Sequence, residues 1–323
     1  SESNKLDAIG HGRSIWIGEQ AVIDVASRAV TGVDSLGRVY GQVRNGGQII
    51  VGGDVNPDTG IAKASDLFVV VREGARLDAS GTQALLDIPG QGRVNVASNG
   101  GNIAFASNNG LYLDGNFNAN AGGAGAAGGR LSLALEAPYY LKEHVTNRVL
   151  PVRELVLSQQ HKTIALADSA EVAADSLVYG HGALGVDQVK AGGFDNLTLL
   201  VRGVFSVDGD ISLNLGQSLH LYTGGVSLTR NANPTSHVNL SAPHVVLSGL
   251  LEPDKSGMEA WTRPYIADTT PGFRSQGTLV VDSDLLDIRD RVGFGDTLSF
   301  DNVQLNSRGD LRFLAGRDGG DTS

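Results

Sequence analysis

The chain has 323 residues, a formal net charge of −10 and no cysteine. Absent cysteine excludes disulfides, thiol nucleophiles and cysteine-ligated zinc, and the acidic charge argues against nucleic acid as the main partner. Aromatic residues make up only 6% of the chain, whereas 44 residues are glycine. A thin core of stacked aliphatic side chains suits this composition better than the thick interior of a globular enzyme. No stretch reaches the roughly 18 apolar residues of a membrane helix, so we expect no membrane insertion.

Short alternating apolar runs, separated by Gly, Asn or Asp, recur from residue 14 to about residue 135. They predict strands at 14–17, 22–25, 48–51, 67–71, 76–78, 93–96, 102–105, 111–113 and 130–135. Intervals of 17 to 20 residues separate Leu77, Val94, Leu111 and Leu131 along the chain. A repeat of roughly 20 residues is typical of one coil of a parallel β-helix, with coils about 4.8 Å apart.

Two stretches interrupt this pattern. Residues 136–160 carry many charged side chains and are bounded by Pro138 and Pro151, and residues 251–276 contain three of the nine prolines. We interpret both as insertions that leave the coil stack. The strand pattern continues between them and resumes afterwards at 278–281, 285–288, 297–300, 303–305 and 310–314. No linker divides the chain, so we expect a single all-β solenoid over residues 1–323.

Three segments carry a family resemblance: 74–81 (GARLDASG), 238–243 (VNLSAP) and 309–316 (GDLRFLAG). They resemble the filamentous haemagglutinin family, large bacterial exoproteins secreted by the two-partner route. The resemblance covers most of the chain outside the two insertions. It implies a right-handed parallel β-helix, adhesion, release or display at the outer cell surface, and an outer-membrane secretion partner for the parent protein. The Asn-Pro-Asn motifs of the family's secretion domain are absent, so we expect a central or C-terminal segment of a longer chain.

We therefore expect a scaffold that presents binding loops to a glycan or protein receptor on a host or bacterial cell. Aromatic residues and arginine dominate interface energies, so the second insertion supplies the interaction candidates Trp261, Arg263, Tyr265 and Phe273. The same cluster also fits a loop packed as a lid over the coils. A further candidate is Arg308-Gly309-Asp310, which spells an integrin-binding tripeptide and equally fits a turn between strands.

Two motifs are typical of bound ligands, and both have a structural interpretation. Asp54, Asn56 and Asp58 alternate like the start of a calcium loop, although the expected sixth and twelfth residues are replaced by Thr59 and Ser65. These three residues are the candidate metal ligands, and an Asx turn is the alternative. Residues 123–128 (GAGAAG) match a dinucleotide motif, but an alternating strand follows instead of a helix. We therefore predict a turn there, and no cofactor.

The alternative function is a polysaccharide lyase or hydrolase on the same fold. Two Gly-His-Gly triplets, at 10–12 and 180–182, resemble a motif of β-helical polysaccharide hydrolases. Those enzymes need paired carboxylates as acid and base, and their other sequence elements are missing. Asp282, Asp284, Asp287 and Asp290 form an acidic run that fits either a cation site or a solvated face. We identify no catalytic residue and expect no enzyme.

Overall fold

The computed structural model describes residues 12–141, 150–250, 258–260, 262–263, 274–294 and 297–314. This part of the chain is mostly β, as the sequence predicts, and its main feature is a sheet of 15 strands. Every pairing within that sheet is parallel. Smaller sheets of two or three strands accompany it.

The strands and helices of the described residues follow in chain order. The first strands are β1 (Ser14–Ile17), β2 (Val22–Asp24), β3 (Val30–Val33), β4 (Val39–Gln42), β5 (Gln48–Val51), β6 (Gly53–Asn56), β7 (Ile61–Ala64), β8 (Phe68–Val71), β9 (Arg76–Asp78), β10 (Gln83–Ile88), β11 (Gly92–Ala97), β12 (Asn102–Ser107), β13 (Gly110–Leu113), β14 (Asn116–Asn118) and β15 (Arg130–Leu135). Next come β16 (Tyr139–Leu141), β17 (Glu154–Ser158), helix α1 (Ala170–Ala173), a 3-10 turn (Ala174–Ser176), β18 (His181–Gly185) and helix α2 (Val186–Ala191). The last strands are β19 (Asn196–Asp208), β20 (Ile211–Asn214), β21 (Ser218–Leu228), β22 (His237–Ser241), β23 (His244–Ser248), β24 (Met258–Ala260), β25 (Thr278–Arg289) and β26 (Asn302–Leu314).

One run of the large sheet, which we call the long ladder, passes through eight strands. Its order is β5, β12, β15, β19, β21, β23, β25 and β26. In this register, one apolar residue of each strand lies directly beside the equivalent residue of the next strand. In the interior strands these residues are 0–2% exposed: Ile103, Leu131, Leu197, Leu219, Val245 and Leu286. Because strand side chains alternate, the preceding positions point to the other face, and there they are mostly polar: Asn102, Arg130, Asn196, Ser218 and His244. The alternation in the sequence thus becomes one stack of aliphatic side chains, which gains roughly 25 cal/mol per Å² of apolar surface buried.

Two further runs of strands flank the same core. The first follows the order β1, β8, β13, β18, β17, β19 and β21. The second consists of β2, β9 and β14 in one small sheet and of β20, β22, β25 and β26 in the large one. Strands β19, β21, β25 and β26 contribute to two runs each, and β19 and β25 have register shifts between the two halves. Side chains from all three runs join one hydrophobic cluster.

The last strand of the described chain, β26, is the least covered. Phe313 occupies a core-facing position of the long ladder beside Ile288, yet it is 77% exposed. Leu311 occupies another core-facing position, beside Leu286, and is 39% exposed. Within the described residues, β26 pairs with β25 alone.

The structure differs from the predicted pattern in three details. Val94 lies in β11, an antiparallel hairpin strand outside the large sheet, so the regular repeat of roughly 20 residues is wrong. Residues 297–300, predicted as a strand, form a turn and a bend. Within the predicted insertion 136–160, β17 is a strand of the large sheet. Unequal loop lengths, such as those of 80–100 and 120–128, explain the first of these differences, because they remove any constant spacing between equivalent strands.

The stacked core generates a stability prediction. Leu131→Ala removes a side chain that is fully buried, and we expect it to lower the free energy of unfolding by about 2–5 kcal/mol. The matched control is Leu36→Ala in the turn between β3 and β4, where Leu36 is 74% exposed and the expected change is below about 0.5 kcal/mol. Urea unfolding followed by circular dichroism measures both. An equal effect of the two substitutions would contradict the described core.

Candidate interaction site

Three consecutive loops leave the strands at equivalent positions. Backbone hydrogen bonds close the loop bases from Gly47 N to Val25 O (2.9 Å), from Gly101 N to Ala79 O (2.7 Å) and from Gly129 N to Ala119 O (2.7 Å). Neighbouring bases are also bonded to each other, since Asn102 N donates to Gly47 O (3.0 Å) and Arg130 N donates to Gly101 O (3.0 Å). The loops themselves span 26–46, 80–100 and 120–128, and the first two are equal in length.

A short sequence repeat sets these bases. Residues 45–47 and 99–101 both read Asn-Gly-Gly, and 127–129 reads Ala-Gly-Gly. The Asn45 Oδ1 atom accepts a hydrogen bond from Asn99 N (3.1 Å), and Asn99 Oδ1 accepts one from Ala127 N (2.9 Å). A Cβ atom on Gly101 would lie 1.9 Å from Gly47 O, so only glycine fits between the stacked bases. The predicted strand pattern did not include this repeat, although the repeat marks the equivalent positions of the three loops.

The first two loops carry antiparallel hairpins outside the large sheet. Strands β3 and β4 form one, β10 and β11 form the other, and Val39 N donates to Asp87 Oδ2 (2.5 Å) between them. Large apolar side chains on these hairpins are exposed: Val30, Val33, Leu36, Tyr40 and Leu85. The third loop contains the glycine-rich stretch 123–128, and the strand β15 follows it, so the predicted turn is confirmed.

One face of the β3–β4 hairpin lines an open cavity of about 790 Å³. Gly32 is paired with Tyr40, and Val30 with Gln42, so these four residues share a face of the hairpin. The Tyr40 ring lies over Gly32, where a Cβ atom would be 2.8 Å from the ring. Arg28 and Arg44 line the cavity too, and the bond from Ser27 Oγ to Arg44 O holds their two segments together.

The candidate metal ligands lie in a different hairpin, β6–β7. Asn56 Oδ1 accepts hydrogen bonds from Asp58 N (3.0 Å) and Thr59 N (3.2 Å), which is the Asx turn that the sequence offered as the alternative. Asp54 Oδ1 accepts a bond from Val55 N (2.9 Å). Among the described residues, no group of three or more His, Asp and Glu side chains is arranged to hold a metal ion.

This β6–β7 hairpin covers part of the outer face of the long ladder. Val55 packs into a small cluster with Tyr222 and other outward-facing side chains. At the hairpin tip, Pro57 O accepts hydrogen bonds from Tyr222 Oη (2.6 Å) and from His220 Nδ1 (2.7 Å). The segment that resembles a calcium loop therefore acts as a packing element.

Next to that hairpin lies the most buried carboxylate of the acidic run, Asp287. Its oxygens accept hydrogen bonds from Arg312 Nε (2.6 Å) and Arg312 Nη2 (2.8 Å), and from Arg289 Nη2 (3.0 Å). Burial by itself raises the pKa of Asp287, but the bonds from Arg312, Arg289 and His244 outweigh it and hold the pKa at about 2. At neutral pH this carboxylate carries no proton, so the arrangement suits an ion pair between strands and not a general acid.

The other acidic side chains of the run have their own neighbours. Asp282 Oδ1 accepts a bond from Asn306 Nδ2 (2.9 Å), and Asp284 forms an ion pair with Arg308 Nε (2.6 Å). Arg308-Gly309-Asp310 lies within β26, where the pairing with β25 shifts register. The structure therefore places this tripeptide in a strand at the corner between two runs, with the Arg308 side chain 83% exposed, and not in a projecting loop.

The remaining interaction candidates divide into two groups. Trp261, Tyr265 and Phe273 lie outside the described residues. Arg263 is exposed, and its backbone N donates to Pro151 O (3.1 Å). Strand β24 of the same predicted insertion pairs antiparallel with β16 of the other one. The two predicted insertions thus contact each other.

The Gly-His-Gly motif at 180–182 begins in a turn at Gly180 and enters strand β18 at His181. The His181 ring packs against Tyr112 with ring centroids 5.3 Å apart. Burial lowers the pKa of His181, so its ring is mostly neutral at pH 7. The other triplet, at 10–12, extends into residues outside the described part of the chain.

No protein-family profile, curated protein sequence or solved structure matches this chain. The filamentous haemagglutinin resemblance therefore enters the function only as a proposal. The described residues contain no helix that is both long and apolar enough to span a membrane.

The glycine at the loop base generates a prediction. Gly101→Ala places a methyl group against the carbonyl of Gly47, and we expect a loss of about 1–3 kcal/mol of stability. Gly18→Ala is the control, because the nearest atom to its Cβ is Trp16 Nε1 at 4.0 Å. Urea midpoints of the two variants test this difference. Equal midpoints would mean that the loop bases do not approach as closely as described.

The Asp287 cluster generates a second prediction, on acid stability. Because its pKa is near 2 when folded and about 3.9 when unfolded, its contribution to stability is present above about pH 4 and is lost as the pH falls towards 2. Asp287→Asn should therefore flatten the fall in stability between pH 4 and pH 2, measured by urea unfolding across that range. Asp284→Asn, which removes a solvent-exposed ion pair, serves as the control and should keep the parent slope. If the stability of Asp287→Asn falls between pH 4 and pH 2 as steeply as that of the parent protein, the described ion-pair cluster is contradicted.

Proposed function

We propose that this chain is a segment of a right-handed parallel β-helix, and that it is the scaffold of a large secreted or surface-exposed bacterial adhesin of the filamentous haemagglutinin type. The observation that carries the proposal is the set of three loops that leave a parallel sheet at stacked, equivalent positions. Such an arrangement separates a constant support from variable loops, which is what a receptor-binding scaffold requires.

The order of strands supports the β-helix. From β5 the chain passes to β8 in the first flanking run, to β9 in the second and back to β12 beside β5. It then repeats the circuit through β13 and β14 and returns to β15 beside β12. Each of these two circuits adds one parallel strand to every run, so the aliphatic stack grows along the axis of the helix. Nearest-neighbour stacking of this kind gives a stiff rod.

The hairpins support the adhesive role. They lie outside the large sheet and expose tyrosine, valine, leucine and arginine side chains, and tyrosine and arginine are residue types enriched at binding interfaces. In this proposal the receptor is a glycan or protein on a host or bacterial cell. The parent protein is exported through an outer-membrane secretion partner to the cell exterior. These hairpins replace the two predicted insertions as the first place to look for binding.

We do not propose a polysaccharide lyase or hydrolase. The most buried carboxylate of the acidic run is an ionised partner of two arginines, which disfavours a proton-transfer role. Assays on pectin, alginate and host glycans, with and without calcium, test this choice. If the chain turns over one of these substrates, and substituting a single Asp in a groove abolishes that turnover, the enzyme replaces the adhesin as the proposed function.

Loop exchange tests the adhesive role. Replacing residues 26–46 and 80–100 with the shorter loop 120–128 keeps the glycine bases and removes both hairpins. We expect an unchanged β-type circular dichroism spectrum, because the bases already accept a short loop, and at least about a tenfold loss of attachment to cultured cells by flow cytometry. The control replaces 120–128 with Gly and Ser residues of the same number and should attach like the parent. Full attachment without both hairpins would overturn the proposed role.

A further inference from the structure

The face of the β3–β4 hairpin that lines the 790 Å³ cavity combines two kinds of chemistry. One end has the Tyr40 ring, which is 60% exposed and lies over Gly32. The other end has Arg28 and Arg44, which continue the same alternation past the last paired residues of the hairpin. Between them the face holds Val30 and Gln42. An aromatic plane and two cations therefore flank one open cavity.

The aromatic end is built for stacking. Gly32 lacks a side chain, and the outer part of the Tyr40 ring occupies that space: a Cβ atom on Gly32 would lie 2.8 Å from both Cζ and Oη of Tyr40. Tyr40 is 60% exposed, so much of its ring is open to solvent. An exposed aromatic ring suits the apolar face of a pyranose ring, and the Tyr40 hydroxyl makes no hydrogen bond within the part of the chain that the structure describes.

The cationic end has unused capacity. Arg44 Nη2 donates to Gln42 Oε1 (3.2 Å), and Arg44 pairs with no carboxylate in the part of the chain that the structure describes. Arg28 reaches Asp24 only at 4.0 Å, with its own side chain 88% exposed. Guanidinium groups bind planar carboxylates through two parallel hydrogen bonds. Two such groups at one end of a cavity attract an anionic ligand locally, against the net charge of −10 of the whole chain.

We propose that this face binds an acidic oligosaccharide. A pyranose ring stacks on Tyr40, the carboxylate of that sugar or of its neighbour pairs with Arg28 and Arg44, and Gln42 bonds to ring hydroxyls. The inference rests on the proposed adhesin function and names the ligand of its first hairpin. The size of the cavity fits, since sites for small ligands are about 300–1,000 Å³.

A protein segment fits this face less well. Stable protein interfaces bury about 800 Å² on each partner and have an apolar centre. Here the only aliphatic side chain among the lining residues that share the face is Val30, and it stands between polar neighbours. The face offers charged groups and a single aromatic ring to a ligand, and little apolar area.

Titration calorimetry tests the proposal on the intact chain. The acidic probes are trigalacturonate, 3′-sialyllactose and a hyaluronan tetrasaccharide, and the neutral probes are maltotriose and lactose. We expect binding of at least one acidic probe and no measurable binding of the neutral ones. Tyr40→Ala and Arg44→Gln should each weaken that binding about tenfold or more. Tyr40→Phe keeps the ring and should stay within about threefold of the parent, and Leu36→Ala, at the hairpin turn off this face, should leave the affinity unchanged.

Three results would overturn the inference: no binding of any acidic probe, equal binding of neutral probes, or binding that Tyr40→Ala and Arg44→Gln leave intact. A synthetic poly-glutamate peptide that binds as tightly as the sugars and loses affinity in the same variants would assign the face to an acidic protein instead. Circular dichroism of each variant establishes that it is folded. Loss of sugar binding together with intact, hairpin-dependent cell attachment would remove the inference and leave the proposed function standing.

Discussion

In-register pairing of parallel strands is the constraint on which the rest of this molecule depends. When Ile103 lies beside Leu131, and Leu131 beside Leu197, each strand places its apolar side chain on that of its neighbour. A slip of one residue would turn every such side chain to the opposite face, so burial itself enforces the register. The main-chain hydrogen bonds of the ladder and the apolar stack are therefore two consequences of one alignment.

The loop bases are where this alignment meets its tightest geometric limit. Successive loop bases approach so closely that a methyl group on Gly101 would lie 1.9 Å from Gly47 O, and one on Gly129 would lie 2.1 Å from Gly101 O. Asparagine side chains at the neighbouring positions satisfy backbone N–H groups of the next loop. Glycine for space and asparagine for hydrogen bonds together form a corner that repeats, and whatever lies between the ends of a loop does not disturb it.

The class of the fold was predictable from the sequence, and the arrangement of its parts was not. Alternation at 102–105 and 130–135 predicts strands because burial on one face needs period two, and both strands exist. The spacing of Val94 misled, because a hairpin strand and a strand of the large sheet have the same local pattern. Asp287 was predictable as a charged residue, but its partner Arg312 belongs to the adjacent strand, and only the register brings them together. The Tyr40 face depends likewise on cross-strand pairing, which local sequence does not encode.

The fixed loop base has a consequence for how such a surface changes over time. Closing a flexible loop twice as long costs only about 0.6 kcal/mol more, so exchange between short and long loops is nearly free for the core. The first two loops and the third already illustrate both lengths on the same kind of base. Insertions and substitutions there escape the selection that the aliphatic stack imposes on strands. These corners therefore offer positions where the sequence can diversify without unfolding the strands.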